Sequence, residues 1–307
     1  MLWLSRADVE GLGLGMPEVV DIVSHAMAEK AAGRVEAPPK LGLSPHPGAV
    51  LHAMPARVGD AVGMKWISVV PQNRDRGLPQ SHALLVMNDA QTGAIEAVLE
   101  ASWITEMRTA AVAAIAARTL ARPQAEVLAV IGPGALGRRC VAALKLALPS
   151  LRLARAWAPR QETRERFARD VAGSLQAEPA DSAAQAVRGA DVIVTSARWP
   201  GGPPSIEPDW LAAGAFACAL DYDASFTRSA AAAFDRRFTD DVAQMEAARA
   251  KGSFAGWPAF TELATGRRAT AQQRILCACL GLAIFDVAVG RRALEVARQK
   301  NAGRYLP

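Results

Sequence analysis

Apolar side chains over residues 7–32 fall at Val9, Leu12, Val19, Val20, Ile22, Val23 and Met27, a helical spacing interrupted at Gly11-Leu-Gly13. That pattern predicts two short helices after a start at Ser5. The Pro-rich stretch 37–45 reads as extended. Val50–Met54, Val62–Ser68, His82–Asn88 and Ile95–Glu100 then read as strands, with turn residues between 88 and 93 suited to a hairpin. An Ala-rich helix from about Ile104 to Ala121 ends before Pro123, and the pattern then alternates strand and helix, with strands at 127–131, 151–157 and 191–196. Such alternation predicts an α/β protein with a parallel sheet. A last helix is expected from Ile275 to about Gln299.

Composition narrows the class. The chain has 307 residues and 51% hydrophobic composition, enough for one or two globular domains with a full core. A formal net charge of +5 is compatible with acidic ligands. The arginines are scattered without interleaved aromatics, which argues against nucleic acid as partner. Four cysteines, Cys140, Cys218, Cys277 and Cys279, lack zinc-site spacing and read as buried thiols, so no metal site is expected. The apolar run Ile275–Phe285 is broken by Asp286 and too short for a bilayer. The first residues show no basic segment leading into an apolar run, so the expected location is the cytoplasm, away from membranes.

The chemistry begins at Val127–Gly137, where an apolar strand runs into Gly132-x-Gly134-x-x-Gly137 and then a helix expected over 138–148. In that context the three glycines serve a tight turn, close approach of a pyrophosphate to backbone, and close helix packing. Free N–H groups at the helix start suit phosphate. Pro133 is tolerable in the turn. At the end of the next strand, Ala156-Trp-Ala-Pro-Arg160 offers no acid for ribose hydroxyls. Arg160, with Arg164 in support, would instead meet a 2′-phosphate, favouring NADP(H) with NAD(H) still open.

Further motifs carry a family resemblance: Gly63-Met-Lys65, Gly77-Leu-Pro79 with Ser81-His82, Asp89–Gly93, Ile104–Ala111 containing Arg108-Thr-Ala-Ala111, Gly189–Thr195, and Gly281–Ala288. With the glycine turn they resemble the ornithine cyclodeaminase and mu-crystallin family over nearly the whole chain. The resemblance implies a Rossmann dinucleotide-binding domain, placed at 122–275, and an α+β substrate and dimerisation domain built from both chain ends, 1–121 and 276–307. It also implies a homodimer and nicotinamide-dependent chemistry at an amino-acid carbon.

Site roles follow from the same resemblance. Lys65 matches the active-site lysine, suited to hold a carboxylate and polarise a C=N bond. Arg108 matches the substrate-carboxylate arginine, whose planar fork suits that task. Asp223 falls at the catalytic aspartate and would pass a proton to the substrate nitrogen. Its motif departs from the family, with Asp221 where a glycine is usual and Ala224-Ser225 after it, so Asp221 stands as a rival. His82 lies in a substrate-lining segment. Cofactor contacts are expected from Thr109, Gly132, Gly134, Ala135, Leu136, Gly137, Ala158, Arg160, Thr195 and Ser196. Lys40 replaces a carboxylate-binding arginine and His52 replaces the glutamate that receives ornithine's amino group, and both departures argue against ornithine. The leading expectation is an NAD(P)H-dependent reductase of the imine or ketimine of a small amino acid, which in reverse is an amino-acid dehydrogenase. The alternatives are a cyclodeaminase-type lyase that retains NAD⁺ and releases ammonia, and a binding protein without turnover.

Overall fold

The computed structural model describes residues 1–197 and 205–306. It divides into two compact units, Met1–Arg108 with Leu282–Pro307, and Thr109–Gly281. Among the described residues no helix is long and apolar enough to cross a membrane.

The first unit is built on one eight-stranded sheet. Its elements in chain order are β1 (Leu2–Leu4), α1 (Arg6–Gly11), α2 (Met16–Ala31), β2 (Val35–Glu36), β3 (Leu41–Leu43), β4 (Val50–Val58), β5 (Ala61–Val69), β6 (Ser81–Asn88) and β7 (Ile95–Glu100). Helix α3 (Ser102–Leu120) follows and runs through the division between the units. The two helices expected in the first 32 residues form, and Ser5 starts α1 with a capping box shared with Asp8. Strand β4 runs past the expected end at Met54 and through Pro55. Strands β3 and β2 pair with residues 51–53 and 57–58 of β4, so Pro55 falls in the gap they leave, where a missing N–H is tolerated.

The second unit carries β8 (Val127–Ile131), α4 (Ala135–Ala147), β9 (Leu153–Trp157), α5 (Gln161–Val171), β10 (Gln176–Pro179), α6 (Ala183–Val187), β11 (Val192–Thr195), β12 (Phe216–Ala219), α7 (Arg228–Ala232), β13 (Arg236–Thr239), α8 (Val242–Ala250), β14 (Thr261–Glu262) and β15 (Ile275–Ala278). Its strands lie in the order β10-β9-β8-β11-β12-β15-β13-β14, and every pairing is parallel. The order reverses at β8, which places the glycine turn at the switch point where such sheets bind nucleotides. Helix α4 starts at Ala135 rather than 138, so Gly137 lies in its first turn.

The chain then returns to the first unit through α9 (Ala283–Lys300) and β16 (Arg304–Tyr305). The helix expected from Ile275 is therefore two elements. Ile275–Ala278 is a strand, buried throughout, with β12 on one side and β13 on the other. A short apolar run fits a strand covered on both faces as well as a buried helix, and periodicity alone does not separate them. Gly281, at φ 75°, turns the chain before α9 begins. The compact units accordingly divide after Arg108 and after Gly281, not at 121/122 and 275/276.

Candidate active site

In the first unit the core face of β5 presents Ala61, Gly63, Lys65 and Ile67, all buried. Gly63 on this face admits the backbone of neighbouring strand β6, and Gly290 lets α9 lie close to the same face. A Cβ added at Gly63 would stand 2.4 Å from the Val86 carbonyl oxygen, and one added at Gly290 would stand 2.2 Å from Leu85 Cδ2. Gly290 is one turn beyond Asp286, so its close approach to the sheet lowers Asp286 onto Lys65.

Three charges meet there. Lys65 Nζ lies 2.7 Å from Asp286 Oδ1, and Arg108 Nε donates to the same oxygen at 2.9 Å. The side chains of Lys65 and Asp286 are 0% exposed and that of Arg108 6%. Lys65 also donates to Thr105 Oγ1 at 3.4 Å. Asp286 Oδ2 is buried and has no hydrogen-bond partner among the described residues. Burial, reinforced by the Arg108 charge, outweighs Asp286 and brings the Lys65 ammonium down to about 7. Lys40, also nearby, pushes in the same direction. A buried lysine in this state sits near the point of losing its proton at neutral pH. Beyond its bond to Asp286, the Arg108 side chain makes no hydrogen bond among the described residues, so its planar fork can take a carboxylate.

In the second unit Gly132 adopts φ 84°, and a Cβ there would meet Ser196 O at 2.5 Å. A Cβ on Gly137 would meet Gly132 O at 2.8 Å, whereas one on Gly134 would meet nothing within 4 Å. Two glycines thus allow tight packing, and the third faces open space where a ligand can lie against backbone. Gly134 caps α4 without a side-chain hydrogen bond, and Ala135, Leu136 and Gly137 form the first turn, so their N–H groups suit an anion. This geometry fits a dinucleotide pyrophosphate.

The hydroxyls expected at the cofactor brace the protein instead. Ser196 Oγ donates to Gly132 O at 2.8 Å, and Thr195 Oγ1 donates to Asp221 Oδ1 at 2.5 Å. Asp221 also accepts from Ala197 N at 2.9 Å and Ser225 Oγ at 2.7 Å. Burial raises its carboxyl despite those hydrogen bonds. Asp221 is therefore a structural clasp joining the ends of β11 and β12. Asp223 is only half-buried, and its Oδ2 accepts from Phe254 N at 2.6 Å. Tyr222 and Phe254 flank that bond with φ of 59° and 56°, conformations that cost non-glycine residues energy and fix the loop.

Ala158 is buried at the end of β9, and Arg160 is exposed just beyond it, its side chain making no hydrogen bond or ion pair among the described residues. Arg164 is occupied by the Ala180 carbonyl, at 2.5 Å, and does not support it. Thr109 is buried in α3. Lys40 is half-buried and contributes to the field at Lys65. His82 is exposed and three residues along β6 from Leu85, the cross-strand partner of Lys65. Strand alternation puts it on the opposite face of the sheet, away from the charge cluster. Among the described residues no cluster suits a metal ion.

Asp286 is the functional candidate that sequence reasoning missed. Its signal was the break it makes in the apolar run 275–285, because a carboxylate flanked by Ile284, Phe285 and Val287 requires a buried partner of opposite charge.

The ornithine cyclodeaminase/mu-crystallin family model matches residues 2–301. A nodulation efficiency protein of Rhizobium meliloti is 30% identical, with 98% of this chain and 97% of that protein aligned. An alanine dehydrogenase of Archaeoglobus fulgidus is also 30% identical over 98% and 97%. A Δ1-pyrroline-2-carboxylate reductase structure from Thermococcus litoralis, solved with NADH and L-proline, superposes with a TM-score of 0.90 over 100% of both chains at 24% identity, which speaks to the fold alone. The match over residues 2–301 and the relatives aligned over nearly their full length show that the chain belongs to the ornithine cyclodeaminase/mu-crystallin family.

Proposed function

We propose that the protein is a nicotinamide-nucleotide-dependent reductase of the imine of a small amino acid, which in the reverse direction is an amino-acid dehydrogenase. The observation that carries this reading is the buried Lys65–Asp286–Arg108 cluster, a cationic site made on a chain whose other unit has the glycine turn of a dinucleotide fold. A relative 30% identical over nearly its full length is an alanine dehydrogenase.

Arg108 binds the substrate carboxylate through its fork. Lys65, carrying its proton, polarises the C=N bond so that the carbon becomes electrophilic. Asp223 delivers the proton that the nitrogen requires as the carbon is reduced, while Asp221 remains engaged in its hydrogen bonds. A bound nicotinamide nucleotide supplies the hydride. Gly132, Gly134 and the first turn of α4 hold the pyrophosphate, and Arg160, exposed at the strand end, selects NADP(H) through its 2′-phosphate. The replacement of a glutamate by His52 directs the site away from ornithine.

The working form is a homodimer. The face of the sheet opposite Lys65 carries Met64 and Trp66, each 37% exposed, beside Leu84 at 40% and Leu41 at 73%. Such a row on adjacent strands suits a second copy of the same sheet. Light scattering at micromolar concentration gives twice the chain mass on this reading and the single chain mass if it is wrong.

Initial rates of NADPH and NADH oxidation against cyclic ketimines, and against 2-oxo acids with ammonia or methylamine, test the activity. Oxidation lost in Lys65→Ala supports the reductase. Tight nucleotide binding with no oxidation by any substrate counts against it.

A further inference from the structure

The mechanism does not require Asp286, yet it is as fully buried as Lys65. It enters α9 in the first turn, where the helix dipole favours a carboxylate. Both of its ionic contacts converge on one oxygen, and the other oxygen is buried without a partner among the described residues. A carboxylate serving only to neutralise two cations would be expected to use both oxygens, since an unpaired buried acceptor costs free energy. Here that cost accompanies a geometry in which Lys65 and Arg108 are drawn to one point.

Resting on the reductase reading, we propose that Asp286 is a positioning residue of the reaction: it fixes the Lys65 ammonium in place and in its charged form, and leaves the pair one surplus positive charge for a substrate carboxylate. The charge count supports this. Lys65 and Arg108 bring two positive charges and Asp286 one negative, so a single carboxylate balances the set.

The groups facing Lys65 are few. Arg108 and Thr105 come from α3, Asp286 from α9, and Lys40 from the segment before β3, while its cross-strand neighbours Met54 and Leu85 are apolar. Among the charged groups of the described residues, Asp286 is the one that favours the protonated lysine. Burial, Arg108 and Lys40 all oppose it. Without Asp286, Lys65 is neutral at neutral pH and no longer polarises the substrate. Gly290 belongs to the same device, because the close approach it permits brings Asp286 within reach of the sheet.

The test is the pH dependence of kcat/KM for imine reduction in the full-length protein and in Asp286→Asn, with saturating nucleotide. In the unaltered protein the rate falls as pH rises through about 7. In Asp286→Asn that limb moves to lower pH by about one unit or more, so the loss is at least about tenfold greater on the alkaline side than on the acid side. A uniform loss with an unmoved limb overturns the inference, since a merely structural aspartate would give that result. Asp286→Glu keeps the charge and guards against failure of the asparagine variant to fold. Its limb stays with the unaltered protein while kcat falls, and a limb displaced like that of the asparagine variant overturns the inference. A readout without turnover separates this inference from the reductase reading: the 13C shift of the Lys65 ε-carbon, assigned with Lys65→Met, titrates at lower pH in Asp286→Asn. The same midpoint in both proteins refutes the role of Asp286. A shifted midpoint in a protein that reduces no imine upholds the hold of Asp286 on the Lys65 charge and sinks the reductase reading, and with it a role in that reaction.

Discussion

The glycine turn after β8 and the charge cluster under α9 are two sites made by different means. The turn is made of backbone. Gly132 must adopt φ 84°, Gly137 must admit a carbonyl 2.8 Å from where its Cβ would be, and Gly134 must leave room for a ligand. Each demand is local, so residues adjacent in sequence satisfy it. The cluster is made of side chains from β5, α3 and α9, at positions 65, 108 and 286, and exists only once the sheet and helices have packed. Local backbone sites are therefore written in spacing, whereas side-chain sites are written in the placement of charges within apolar runs.

The comparison is broken most severely at Lys65. Lys65→Ala removes the polarising cation and lowers kcat/KM by about 10²–10³, while nucleotide affinity measured by fluorescence titration stays near that of the unaltered protein. Comparable loss of nucleotide binding would show that the two sites are not separable. Asp286→Ala leaves buried Arg108 without its counter-charge and strips Lys65 of its proton, and costs about 3–5 kcal/mol in urea unfolding near neutral pH. A cost below about 1 kcal/mol would contradict the burial of the set.

Gly132→Ala acts on the other site. It forces a Cβ into a left-handed turn and against Ser196 O, which costs about 1–3 kcal/mol and abolishes tight nucleotide binding, with little effect on Lys65 titration. The smallest effect is at Arg160. Arg160→Ala raises the KM for NADPH about tenfold and leaves that for NADH unchanged, and equal effects on both would remove its role in selecting the phosphate.

The depressed Lys65 value also predicts a pH dependence of stability. The folded protein releases this proton near 7 and the unfolded chain near 10.5, so between those values the unfolded state binds more protons. The contribution of Lys65 to stability therefore rises with pH across that window and is flat below it. Urea unfolding of the unaltered protein against Lys65→Met checks this, since the difference between the two should shift in favour of the unaltered protein from pH about 7 to about 10.

Much of this was legible in the sequence. Parallel alternation after residue 122 and the glycine spacing pointed to the nucleotide fold, and the motifs around Lys65 and Arg108 pointed to the family. Ile275–Ala278 reads as helix in the sequence because a short strand buried on both faces has no periodicity to distinguish it from helix. The family resemblance puts His82 in a substrate-lining segment, but the alternation of β6 turns it to the face opposite Leu85, the cross-strand partner of Lys65. Asp221 and Asp223 were inseparable by sequence. The hydrogen bonds from Thr195, Ala197 and Ser225 that occupy Asp221 arise only when β11 and β12 lie side by side. Asp286 shows in the sequence as an interruption of an apolar run, and its partners Lys65 and Arg108 lie far from it along the chain.

The most direct test of the central claim follows a label through turnover. NADPH fully deuterated at nicotinamide C4, incubated with the best imine from the panel, is followed by mass spectrometry of the amino-acid product. The account predicts one deuterium at the α-carbon and one nucleotide oxidised per product formed. Release of ammonia from an amino acid with no net oxidation of nucleotide, and with the label returned to C4, would contradict it.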